Sequence, residues 1–153
     1  MNLKISALTN YVTPLDADVF AIVDTANTTT KKISWATIKS FLIGSGKTTE
    51  VTGTSASMAI NKQYIANNAA VVTLTLPTTA AVGDMVEIIG EGAGGWLLAQ
   101  NASQVIYYGN VSTTVGTGGK IESTHRRNCL KLVCVTANTD WQVVHAVGTL
   151  IVT

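Results

Sequence analysis

Val71-Val72-Thr73-Leu74-Thr75-Leu76-Pro77 is the stretch on which the fold turns. Val72, Leu74 and Leu76 recur at every second position, and threonines stand between them. Successive side chains of an extended chain point to opposite faces, so this alternation describes a strand with one side buried and the other wet. Valine and threonine are branched at Cβ and suit a pleated surface. Pro77 has no N–H to give to a sheet ladder and ends the strand.

The same pattern continues outward from this strand. Val82-Gly83-Asp84 turns into Met85-Val86-Glu87-Ile88-Ile89, with Val86 and Ile88 directed inward. A glycine-rich turn over residues 90–95 precedes Trp96-Leu97-Leu98-Ala99-Gln100. Further strands are expected over residues 104–108, 120–123, 130–136, 141–145 and 149–152. The turn signals between them (Gly109-Asn110, residues 116–119 and 137–140) come every ~8–12 residues, the rhythm of a β-sandwich or barrel. Upstream, residues 44–60 are rich in Gly, Ser and Thr without apolar periodicity, which predicts a linker. Before it, Thr13-Pro14-Leu15-Asp16 signals a turn and Val19-Phe20-Ala21-Ile22-Val23-Asp24 a strand. Thr28-Thr29-Thr30 reads as a second turn, and Lys31-Lys32-Ile33 leads to Ser34. Ser34 is placed to cap a short helix over residues 35–42, with Trp35, Ile38 and Leu42 at helical spacing. The expected organisation is mainly β. Residues 1–43 form a small α+β element, 44–60 a linker, and 61–153 a β-sandwich or jelly-roll-like module.

Composition narrows the function classes. The 153 residues suit one domain, with room for a short arm. Charged residues are 12% of the chain, about half the usual share for a soluble domain. Apolar residues are 46%, and the mean hydropathy is +0.31. Such a surface relies on uncharged polar groups or is covered by further subunits, so self-association is expected. A net charge of +1, with His125-Arg126-Arg127 the densest basic cluster, argues against nucleic acid. The start of the chain has no basic-then-apolar leader pattern, and no run reaches the ~20 apolar residues of a membrane helix, so no membrane insertion is expected.

Motifs that carry chemistry are sparse. Gly44-Ser45-Gly46-Lys47-Thr48 resembles the tail of a phosphate-binding loop, but Phe41 occupies the position of the required first glycine. His125 and His145 are the only histidines, and no nucleophile signature flanks a serine or cysteine. Cys129 and Cys134 lack zinc-site spacing. Five positions apart on a strand, they face opposite ways and cannot bridge. The carboxylates Asp84, Glu87, Glu91, Glu122 and Asp140 are scattered over turns and outward strand positions. No enzyme, metal or cofactor is expected. Trp96 and Trp141 read as core or subunit-interface residues. Of the adjacent Tyr107 and Tyr108, one must point away from the core, which makes it a candidate receptor contact.

Two stretches carry a family resemblance. Lys4-Ile5-Ser6-Ala7-Leu8, Ala17-Asp18-Val19-Phe20-Ala21-Ile22-Val23-Asp24 and Thr30-Lys31-Lys32-Ile33-Ser34-Trp35-Ala36-Thr37-Ile38 resemble the N-terminal element of bacteriophage tail-fibre, tail-spike and head-fibre proteins. Leu76-Pro77-Thr78-Thr79-Ala80-Ala81-Val82-Gly83-Asp84, Gly94-Gly95-Trp96 and Leu132-Val133-Cys134-Val135-Thr136-Ala137-Asn138-Thr139-Asp140-Trp141 are similar to a β module of phage structural proteins. The resemblance implies a virion protein, usually a homotrimer, without a cofactor. The N-terminal element would meet other virion proteins through Val19, Phe20, Ile22 and Trp35. The chain is too short for a repetitive shaft and shows no β-helix pattern. A short spike, head fibre or decoration protein is therefore expected rather than a long adhesin. The alternative is a lectin-like module that recognises host surface glycan.

Overall fold

The computed structural model describes residues 15, 17, 19–24, 29–42 and 48–153. The chain divides into two compact units, residues 1–45 and 46–153.

In the first unit, β1 (Val19–Asp24) pairs antiparallel with β2 (Thr29–Ser34), and helix α1 (Trp35–Leu42) follows directly. The stretch read as a turn and lead-in is thus a strand: Ile33 stands opposite Phe20, and Lys31 opposite Ile22. Ser34 caps the helix as expected, its Oγ accepting the Thr37 N–H at 3.2 Å. Residues 44–47 of the loop-like motif, and Thr13, Pro14 and Asp16 of the expected turn, lie outside the described residues.

The second unit is two stacked sheets around one core. Its strands are β3 (Thr48–Val51), β4 (Ser55–Ser57), β5 (Lys62–Ala66), β6 (Val72–Thr75), β7 (Met85–Gly90), β8 (Trp96–Ala99), β9 (Val105–Tyr108), β10 (Val111–Ser112), β11 (Lys120–Ser123), β12 (Cys129–Thr136), β13 (Asp140–Val147) and β14 (Leu150–Val152). One sheet has the order β10-β9-β13-β12-β7-β5-β3, the other β14-β11-β8-β6-β4. Inward residues of both sheets meet in a single cluster that includes Leu74, Leu98 and Ile121 from one, and Ile88, Leu132 and Trp141 from the other. The alternation that began at Val72 is visible as strictly alternating burial along β6, β7 and β8.

The two stacked sheets are the expected β-sandwich, but the winding is not that of a jelly roll. From β3 to β8 the chain passes from sheet to sheet at every strand. Strands β3, β5 and β7 lie parallel in one sheet, and β4, β6 and β8 lie parallel in the other. This is a short coil of about three turns rather than a jelly roll, in which neighbouring strands run antiparallel. The hairpin β12–β13 and strand β11 then close the coil with antiparallel pairing. A β-helical winding was not expected, because three turns are too few to print a visible repeat. The linker expectation is corrected too. Residues 48–57 supply two edge strands, and Val51 and Met58 are buried in the core. Edge strands bury few side chains, so their sequence has little apolar pattern to show.

The turns of the coil stack as its strands do. Asn67 N donates to Val51 O, and one coil further on Gly94 N donates to Asn68 O. A Cβ on Gly94 would collide with the backbone of Ala70, and one on Gly92 with that of Asn68. Gly92 and Gly94 are therefore required by the backbone passing beneath them.

Candidate functional site

The structure does not gather the residues singled out in the sequence into one place. Trp96 and Trp141 are only 1% and 0% exposed within this single chain. The interface expectation for them is therefore corrected: both are core residues with no side-chain surface left for a partner subunit. Trp96 Nε1 donates to Asn128 O at 2.9 Å, whereas Trp141 Nε1 has no hydrogen-bond partner among the described residues.

Of the two tyrosines, Tyr107 is the exposed one, at 38%, and Tyr108 is half-buried. In the first unit, Val19 is 55% and Phe20 43% exposed. The Phe20 ring tilts against that of Trp35, with centroids 6.2 Å apart. Ile22 lies on the same strand opposite Lys31. This unit thus exposes apolar side chains on both faces of a hairpin only two strands wide, Val19 on one and Phe20, against Trp35, on the other.

The flagged carboxylates hold structure together. Asp84 accepts from Asn61 Nδ2 at 2.7 Å and from Ala81 N at 2.8 Å, pinning two loops. Asp140 accepts from the Thr136 hydroxyl across the β12–β13 turn. Glu91 pairs with Arg127 and, at 3.8 Å, with Arg126. Lys120 and Glu122 pair at 3.1 Å on the outer face of the five-stranded sheet. Of the five, only Glu91 and Glu122 form ion pairs among the described residues, and Glu87 has no side-chain hydrogen bond there either. The histidines stand apart. His125 Nδ1 is 2.9 Å from the Thr124 hydroxyl in the β11–β12 turn, and His145 is exposed on β13. Both cysteines are free: Cys129 is half-buried and faces outward, and Cys134 is in the core. Burial pushes the Cys134 thiol above its ordinary pKa. The hydrogen bond with the Asn138 backbone works against this, and the charges of Asp84 and Asp140 add to it.

The outer faces of the two sheets differ in character. On the five-stranded sheet, Ser55, Ser57, Thr73 and Thr75 face outward, and its charges are already paired. On the seven-stranded sheet, one outward row runs Tyr107, Gln142, Val133, Met85, and another runs Val147, Cys129, Ile89, Ile65. Between them lies His145, Lys131, Glu87, Gln63. A hollow of about 370 Å³ opens there, with the exposed Met85 as its apolar side-chain wall and Lys62, Gln63, Glu87 and Lys131 among its polar ones. A second, uncharged hollow of about 410 Å³ lies where β4 and β6 end, beside Met58, Pro77 and Asn101.

Sequence reasoning missed this face because its residues come from strands distant in sequence. One local signal was present: Val143-Val144 interrupts the alternation after Trp141, and a β-bulge occurs there. No family model matches the chain, and no curated protein matches it.

Proposed function

We propose that this chain is a non-enzymatic structural protein of a bacteriophage particle, the subunit of a short homotrimeric fibre, spike or decoration. Its first unit docks on other virion proteins, and its β module holds the copies together. The observation that carries this reading is the exposure of apolar side chains on the hairpin of the first unit. Val19 and Phe20 lie largely in solvent on a two-stranded hairpin. Apolar side chains exposed on both faces of so thin an element fit one that is covered by a partner. The resemblance of residues 4–38 to particle-proximal elements gives the partner, and the low charge of the whole chain agrees with subunits covering one another.

Deleting residues 1–43 should leave a folded oligomer that no longer joins the particle. The check is to add the truncated protein to particles lacking it and measure occupancy after sedimentation. Normal occupancy would remove the docking role.

A glycan-binding reading has one observation in its favour, the outward Tyr107 on β9. If it holds, Tyr107→Ala lowers binding of the isolated β module to host cells, while Tyr108→Ala leaves it unchanged.

A further inference from the structure

The bulge in β13 makes a knob beside a hollow. Lys131 pairs with His145 and Leu132 with Val143, so Val144 is the extra residue. Val144 and His145 both point outward as a result, and Val144 is 53% exposed. Lys131 stands between this knob and Glu87, so the hollow begins one strand away and centres about two strands, ~10 Å, from the bulge. Knob and hollow lie side by side on one rigid sheet face. The Val144 side chain therefore cannot reach the hollow of its own chain.

We infer that the knob of one copy enters the hollow of the next, with Val144 against Met85 and His145 beside Glu87. This deepens the homotrimer reading above and rests on it. Three observations support a second copy as the occupant. Met85, 41% exposed, gives the hollow an apolar wall of the kind a valine fills. Glu87 has neither an ion-pair nor a side-chain hydrogen-bond partner among the described residues of its own chain, and an imidazole N–H arriving beside it supplies a hydrogen-bond donor. The opposite sheet face carries Ser55, Ser57, Thr73 and Thr75 beside Leu97 and Ile151, and its Lys120 and Glu122 are already paired with each other. A knob-to-hollow contact is heterologous, the type that closes into a ring when the rotation allows.

The test is the mass of the full chain in solution by light scattering. Val144→Glu and Met85→Glu each bring a carboxylate into the contact. Both positions are exposed, so the fold, checked by circular dichroism, should survive. Each variant should weaken association by roughly 100-fold. Ile151→Glu, equally exposed on the other sheet, should leave it unchanged. Wild-type mass in both Val144→Glu and Met85→Glu overturns the knob-to-hollow contact while leaving the trimer standing. A monomeric wild type removes the trimer and this contact together. As a second measure, Val144→Cys with Met85→Cys in a Cys129→Ser background should give oxidised covalent oligomers. Within one chain the two are too far apart to bridge. Only monomer after oxidation, alongside an oligomeric wild type, also overturns the contact.

Discussion

The two buried tryptophans occupy equivalent depths but differ by one hydrogen bond. Trp96→Phe loses the bond to Asn128 O, which keeps only the Gly90 N–H as donor, whereas Trp141→Phe removes a donor that was already unpaired. Both variants leave a similar void, so Trp96→Phe should be the more destabilising by ~1–2 kcal/mol in urea unfolding. Gln104 is a second residue whose value lies in its partners. Its Oε1 accepts from Asn101 N and Nδ2, and its Nε2 donates to Pro77 O and Asn138 O, which ties three loops at one end of the sandwich. Gln104→Ala should cost ~2–4 kcal/mol, because a buried amide with four partly buried hydrogen bonds is lost. Cys134 predicts a pH dependence. Its thiol is raised in the fold, so its contribution is complete below the ordinary thiol value of ~8.5. Above that the unfolded chain ionises first, and stability falls until the folded pKa is passed. Urea midpoints from pH 7 to 10 should drop more steeply for the wild type than for Cys134→Ala.

For the elements, the glycine-rich turn before β8 offers the sharpest prediction. Gly94→Ala places a methyl group against the Ala70 backbone and should cost ~3 kcal/mol or more, read as a drop in melting temperature. Gly118→Ala, where a Cβ meets nothing within 4 Å, is the control and should be close to neutral. The sequence showed this turn, but not why it is rich in glycine, because the chain that forbids a side chain lies some twenty residues earlier. Most strands from β6 onward were legible because each buries one face and so writes its period into the residues. Strands β3, β4, β5 and β10 were not. Those three at the sheet edges bury little, and the apolar and polar positions of Lys62-Gln63-Tyr64-Ile65-Ala66 do not alternate cleanly.

At the scale of the molecule, residues 46–153 contain a complete core to which both sheets contribute. This unit should unfold cooperatively on its own, with one urea transition and the same midpoint in the full chain and the truncated one. The sequence by itself determined that the chain is mainly β, where most strands begin and end, and that a short capped helix follows Ser34. Those features depend on neighbours within a few residues, and period, capping and turn chemistry act over that range. Tertiary structure alone decided that the strands wind as a coil, that Trp96 and Trp141 belong to the core, and that a knob and a hollow share one sheet face. Each of these depends on which strands become neighbours across the sheets. That choice is made by the packing of the whole apolar cluster, not by any one segment.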